Sequence, residues 1–416
     1  MSSAYLLPIK TAVFVFPLLA LFLLVPVAIV LYRRHGIMSS WRTLSFYSFL
    51  FYALTAFCMT IVPLPGPSVD VCAKYPELAH PQLTLGNTFN DIWKEAKGEV
   101  SLNALVLHNP AVIETGLNLL LLLPLGVYLR YHFRRGFLAS SLIGFGTAAF
   151  FELTQLTGVW GLYECPYRLF DVDDLAVNTA GAMLGWAVAG PLTRWLPTLD
   201  TLDDAALARR PVPVGRRLLA LLLDFTGLPF LMGFLSLVCA VLLGKNWFLF
   251  GPVLAVAVWF VLLPWWTGAT PGKWVLLLRL VGPDGGRPAP WRLAVRVLVL
   301  SVPFLPIPIG LGVVLAAAIS ISYAAAGGLL DRIADNPGVL LELVGEHLPS
   351  VLAVLALLGV TFGLFVAFAV ALLWHPRRLG LHELISGVHN VALPHKRARR
   401  PEATPEPATE PVAVAD

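Results

Sequence analysis

The chain has 416 residues, of which 57% are apolar and only 13% charged, with a formal net charge of +4. Its mean hydropathy is +0.77. A water-soluble globule needs a charged skin however large its core grows, so this composition excludes a cytosolic enzyme, a nucleic-acid-binding module and a secreted disulfide scaffold. What remains is an all-α polytopic membrane protein.

Nine apolar runs of bilayer-crossing length follow in chain order: Thr11–Tyr32, Trp41–Leu64, Ala111–Leu129, Phe137–Thr157, Leu175–Leu196, Leu218–Leu243, Trp247–Trp266, Leu293–Leu315 and Pro349–Trp374. Apolar sequence continues past the eighth to Ala326. It therefore reads either as one long tilted helix or as a span followed by a re-entrant piece. The first run has no basic stretch before it and carries Arg33 and Arg34 after it, as an anchor with its N-terminus outside would, rather than a cleaved signal.

Cations alternate between the loops. Arg33, Arg34 and Arg42 follow the first run, and Arg130, Arg134 and Arg135 the third. Arg209, Arg210, Arg216 and Arg217 follow the fifth, and Lys273, Arg279, Arg287 and Arg292 the seventh. His375, Arg377, Arg378, Lys396, Arg397, Arg399 and Arg400 follow the ninth. The intervening loops are poor in cations; between Pro65 and Pro110 five acids face three lysines. The positive-inside rule then predicts an outside N-terminus and a cytoplasmic C-terminus in a plasma membrane. The Lys396–Arg400 cluster reads as an anchor to anionic lipid, not as a nucleic-acid site.

The expected division is a membrane domain at 1–197, a cytoplasmic linker at 198–216, a second membrane domain at 217–393, and a tail at 394–416 that begins basic and ends disordered. This places five spans before the linker and about four after it. No internal repeat is visible, so the inverted-repeat logic of many transporters gains no support.

Ionisable residues at membrane depth are costly and are functional candidates by default. Glu114 and Asn118 stand four apart in span three, and Glu152 and Gln155 three apart in span four. Asp171, Asp174 and Asn178, with Asp173 beside them, open span five. Each set shares one helical face, and the topology brings all three to the outer mouth of the bundle. Arg168 is the one cation in the loop between spans four and five. The set is expected to converge in one outward-facing cavity with Glu114 and Asn118 on its wall. It could instead lock three helices together, with Arg168 pairing Asp171 or Asp174. Small residues Ala180-Gly181-Ala182 and Gly185 follow and allow close helix approach.

The stretch from Asn118 through Pro124-Leu125-Gly126, then Glu152-x-x-Gln155, then Arg168-x-x-Asp171-x-x-Asp174-x-x-x-Asn178-x-x-Gly181-x-x-x-Gly185, resembles the VanZ-like family over about Ala111–Leu196. That resemblance implies a bacterial membrane protein linked to teicoplanin-type glycopeptide resistance or to the cell envelope. It brings no established chemistry.

In the second half, Arg217 and Asp224 stand seven apart on the inner part of span six. Thr270-Pro-Gly-Lys273, Asp284-Gly-Gly-Arg287 and Arg296 follow. This pattern is similar to the RDD family over about Arg216–Leu393, and the Thr-Pro-Gly-Lys and Asp-Gly-Gly segments resemble that family's cytoplasmic hairpin. The sequence departs from it at Leu381-His382-Glu383, where Asp is usual, and at Gly387-Val388, where Gly-Thr is usual. Arg217 and Asp224 read either as a transport pair or as an intramembrane pair anchoring span six.

His382-Glu383 lacks the second histidine of a zinc protease, since Ser386 stands in its place. Gly144-Phe-Gly146 lies inside a span and reads as helix packing. No catalytic residue or cofactor is assigned. The leading expectation is a binding module whose mouth residues engage a polar ligand such as a lipid-linked envelope precursor or a glycopeptide. The alternatives are a metal-assisted enzyme acting on a phospho-lipid headgroup, with Glu152 and Asp171 or Asp174 as acid, base or metal ligands, and an RDD-type transporter. Membrane lipids are the other expected partners.

Cys58 and Cys239 lie inside spans and read as small buried hydrophobes. Cys72 and Cys165 lie in the two outer loops that flank the proposed mouth and are expected to form a disulfide. The alternative is two unpaired thiols, in a compartment that keeps thiols reduced or in loops too far apart.

Overall fold

The computed structural model describes residues 2–209, 212–326, 333, 335–336 and 338–394. Arg210, the Lys396–Arg400 cluster and the expected disordered tail lie outside the described residues. The protein is all-α and crosses a membrane several times. Among the described residues, eight helices are long and apolar enough to span, and a broken pair makes a ninth candidate. The exposed surface is itself apolar: Phe14, Phe22, Phe230 and Trp374 are each more than three-quarters exposed, the inverse of a water-soluble surface. Contacts divide the chain into two units, Met1–Leu31 with Ile37–Arg209, and Tyr32–Gly36 with Arg210–Asp416.

The first unit is built from α1 (Ser2–His35, its last residues belonging to the second unit), α2 (Ser40–Ile61), α3 (Asn87–Glu95), α4 (Pro110–Tyr131), α5 (Phe137–Leu156), α6 (Val172–Thr193) and α7 (Leu199–Arg209). Its core joins Ala56 of α2, Leu122, Leu125 and Leu129 of α4, Ala148 and Phe151 of α5, and Ala182 of α6. The tightest packing is between α4 and α6. A Cβ on Gly126 would fall 2.0 Å from the carbonyl oxygen of Ala182. One on Gly181 would fall 2.1 Å from that of Leu119, and one on Gly185 1.9 Å from that of Leu123. Only glycine lets these backbones touch. Gly144 plays the packing role expected of it, against the Ala182 side chain.

Within the expected 198–216 linker, Leu199–Arg209 forms α7 and is packed into the first unit, while Val214–Arg216 already belongs to α8 of the second. Asp203 is fully buried and holds Arg42 Nε at 2.7 Å, while Asp200 holds Arg42 Nη2 at 2.7 Å and also pairs with Arg134. Cations that had read only as topology signals are thus structural at this end of the unit.

At the opposite end, Cys72 and Cys165 form the expected disulfide, with Cα atoms 5.2 Å apart. Cys58 and Cys239 are free and buried. The long loop is held at a second place, because Gln82 pairs with the chain entering α6. Its N–H donates to Phe170 O at 2.9 Å, and its carbonyl accepts from Val172 N at 3.1 Å.

The second unit contains α8 (Val214–Leu243), α9 (Phe250–Thr267), α10 (Pro271–Val275), β1 (Leu278–Val281), α11 (Pro290–Ser301), α12 (Pro306–Ala326), α13 (Gly338–Trp374), α14 (Leu381–Ser386) and β2 (His389–Ala392). The eighth run is not one long tilted helix. It is two helices, Pro290–Phe304 and Pro306–Ser320, bent by 42°. Pro303, Pro306 and Pro308 cluster at the break, where proline removes helix donors. The expected hairpin is also corrected. The Asp284-Gly-Gly turn closes, with Gly282 N donating to Gly286 O at 2.9 Å, but it leads straight into α11. The partner of β1 comes from the far end of the unit, as antiparallel β2 in the register Leu278 to Ala392. A lone strand leaves its ladder groups unpaired, and β2 supplies them.

Candidate functional site

The candidate site of the first unit forms where three helix ends meet, and the unsatisfied groups of those ends determine what each polar residue does. The last carbonyls of α2 have no intrahelical donor. Four side-chain bonds reach them from the neighbouring elements. Arg168 Nη1 donates to Met59 O at 3.4 Å, Gln155 Nε2 to Thr60 O at 3.3 Å, Tyr167 Oη to Ile61 O at 2.7 Å, and Arg168 Nη2 to Val62 O at 3.1 Å. A guanidinium at a helix C-terminus also suits the negative end of the helix dipole. Burial pushes the Tyr167 phenol up to about 12, so it remains a donor at any physiological pH.

The locking arrangement read from the sequence, Arg168 paired with Asp171 or Asp174, is therefore not what forms. Gln155 and Arg168 serve the end of α2. Gln155 does so from the last turn of α5, and the loop after α5 that carries Arg168 includes Val159 and Trp160 in the left-handed region at φ 59° and 58°. For a β-branched residue this is an outlier that the surrounding structure must impose.

Asp173 has a role that the sequence reading missed. It is buried, and its carboxylate accepts from Gly86 N at 2.7 Å and from Thr88 N and Oγ1 at 2.8 Å. These are the first amides of α3, whose own N-cap is Gly86 and has no side chain to offer. Asp173 therefore caps another helix from a distance. The available signal was a glycine just before a polar helical run.

The remaining acids come together. Glu152, 3% exposed, accepts the backbone N–H of Asp171 through Oε2 at 3.1 Å. Asp171 caps α6, accepting from Asp173 N at 2.7 Å. Asp174 lies against Asn118 of α4 and within electrostatic reach of Glu114, while Glu152 is within reach of both Asp171 and Asp174. Glu114 is exposed, Asp171 and Asp174 are half-buried, and Asn178 is 3% exposed, one turn further along α6 on the same face. The Asn178 amide nitrogen donates to Asp174 O at 2.9 Å, but its Oδ1 has no donor among the described residues. Outside the membrane span, the Asp171 carboxyl lies above its ordinary range because it is desolvated, with Asp173 and Asp91 adding repulsion.

In the second unit, Arg217 and Asp224 do not pair with each other. Asp224, fully buried, accepts from Thr270 Oγ1 at 2.5 Å, Gly272 N at 2.7 Å and Trp259 Nε1 at 3.0 Å, with Lys273 Nζ at 3.5 Å. Trp259 lies in a π-turn of α9, Val258–Leu262, an irregularity that re-aims side chains. Arg217 instead reaches Glu383, the residue that departs from the RDD pattern. Glu383 also accepts from Gly380 N at 3.0 Å and Asn390 Nδ2 at 2.6 Å, with Arg296 Nη2 at 4.0 Å. Although burial raises the Glu383 carboxyl, Arg296 and Arg217 outweigh it and hold the group below its usual range. Arg216 is buried as well and ties the turn after α10 by donating to Leu276 O at 2.7 Å and Leu277 O at 3.0 Å.

Residues 49–193 match the VanZ/LLP1 family, and residues 211–387 match the RDD family. No curated protein and no solved structure matches the chain.

Proposed function

We propose, for a membrane protein that joins a VanZ-like half to an RDD-family half, that the first half is an extracytoplasmic binding module for a cationic group. The observation that carries this reading is an imbalance. Glu114, Glu152, Asp171 and Asp174 gather at one mouth, while the nearest cation, Arg168, is bonded to backbone carbonyls. Half-buried carboxylates repel one another unless something positive lies between them. The donor-less Oδ1 of Asn178 adds a buried acceptor of the same kind. The partner class is an ammonium group on an envelope lipid headgroup or on a glycopeptide.

Titrating purified full-length protein in nanodiscs with phosphoethanolamine, and separately with Mg²⁺, tests this. Glu152→Gln and Asp174→Asn should each weaken amine binding about tenfold or more, the worth of one charge-assisted hydrogen bond. Because the Asp171 carboxyl sits above its ordinary range, affinity should fall as the pH is lowered and should begin to fall above the usual carboxylate range. Unchanged affinity in both variants would overturn the reading. Preference for Mg²⁺ over the amine would favour the metal-assisted alternative.

We also propose that this mouth faces outward in the plasma membrane, with the C-terminus in the cytoplasm. The support is that Arg42 and Arg134 sit with α7 at one end of the unit and the acids and disulfide at the other. A cysteine placed at Gly36 or Gly136 should be labelled by an impermeant maleimide only after the membrane is opened. Labelling in intact cells would reverse the topology.

A further inference from the structure

The buried polar centre of the second unit has a charge balance opposite to that of the outer mouth. A cavity of about 60 Å³ is lined by Arg217, Lys273, Arg296, His382, Glu383 and Asn390. Lys273 and Arg296 are each less than a tenth exposed, and so are the carboxylates Asp224 and Glu383 that answer them. Three cations against two carboxylates leave one positive charge. His382 does not change this, because burial and then Arg296 hold its imidazole down at about 3, so it stays neutral.

The hydrogen bonding is equally lopsided. Arg217 Nε and His382 Nδ1 are buried and have no partner among the described residues. Lys273 Nζ has only long contacts, 3.3 Å to Thr270 Oγ1 and 3.5 Å to Asp224. Arg296 Nη2 stands 4.0 Å from Glu383, beyond hydrogen-bonding distance. A buried donor without an acceptor is costly. Arg217 Nε is one such donor facing this space, the Lys273 ammonium beside it is held only by long contacts, and Arg296 is bonded through Nη1 to Val388 O at 2.6 Å. Against them stands one unsatisfied acceptor, Asn390 Oδ1.

We infer that this cavity binds one small inorganic anion, held by Arg217, Lys273 and Arg296 and turned away from Asn390 Oδ1. The volume is several times that of a single water site, enough for a halide or a compact oxyanion with its water. Water alone would satisfy donors but would leave the buried positive charge uncompensated. The ion would sit between α8, α10, α11 and the α14–β2 segment and would join all four.

The test uses full-length protein in detergent at constant ionic strength, with sodium gluconate replaced stepwise by sodium bromide or by sodium phosphate. The thermal midpoint should rise and saturate with one of the two, as mass action requires of a ligand bound only to the folded state. Leu221→Asp places a tethered carboxylate on the cavity wall, and that variant should lose the saturating rise. Should Leu221→Asp fail to fold, ³⁵Cl line broadening by the wild-type protein provides the measurement, with bromide at rising concentration removing the excess width. Equal midpoints in all three salts together with no excess chloride line width would overturn the proposal and leave a water-filled cavity. A saturating rise that survives in folded Leu221→Asp would also overturn it, by placing the ion elsewhere.

Discussion

Replacing Gly181 and Gly185 together by alanine is expected to prevent the first unit from folding, not merely to loosen it. Each new methyl would lie about 2 Å from a backbone carbonyl oxygen of α4. Backbone has no rotamer to move aside, so the two helices must separate along their whole contact. Overpacking of this kind costs about 1–3 kcal/mol per site, and a stability of about 5–15 kcal/mol leaves little room for two such insults in one interface. Moving α6 also displaces Asp171, Asp174 and Asn178 from α4 and α5, so amine binding should disappear with the fold. Gly116→Ala is the internal control, since a Cβ there meets nothing within 4 Å. It should match the wild type or gain slightly in helix propensity. Thermal midpoints in detergent decide the matter, and a double variant melting with the wild type would show that the glycine contacts are dispensable.

The second large effect is expected at Asp224. Its carboxylate is fully buried and accepts three hydrogen bonds of 3.0 Å or less, with Lys273 alongside. Asp224→Ala strands the Trp259 indole N–H, the Thr270 hydroxyl and the Gly272 amide, and leaves Lys273 charged and buried. Removing one partner of a buried pair costs about 3–5 kcal/mol. Burial already pulls the Lys273 ammonium down to about 8 even with Asp224 present. Without the carboxylate, desolvation acts unopposed by its main partner, and the lysine should lose its proton more readily still. A second change, Lys273→Met, should therefore recover part of the loss, because it removes a buried polar group left without its partner, whether charged or neutral. The midpoints of the two single variants and the double variant, combined as a cycle, give the coupling. A cycle that closes at zero would mean the two groups act independently.

Much of this protein could be read from its residues in order. The spans were legible because a bilayer demands about 20 apolar residues per helix. Several of their ends agree with the helices within a few residues, as with Phe137–Thr157 against Phe137–Leu156. The first and ninth helices, however, begin well before the runs read for them, at Ser2 and Gly338, and the eighth is broken. The disulfide was legible because two of the four cysteines fell in loops and two within spans. Helical spacing likewise placed Asp171, Asp174 and Asn178 on one face.

What spacing could not say was which polar residues face one another across helices and which are taken up by helix ends. Arg168 and Gln155 look like site residues in the sequence, yet the open carbonyls of α2 claim both. Asp173 looks like a bystander, yet α3 lacks a cap of its own and uses it. Arg217 and Asp224 share a face of α8, but an i, i+7 separation spans two full turns. Each finds a nearer partner on another element, Glu383 and Lys273. The same limit explains β1, whose partner lies more than a hundred residues away. Periodicity is a property of one segment and is written in the sequence, whereas hydrogen-bond and charge partners belong to pairs of segments and are fixed only when those segments dock.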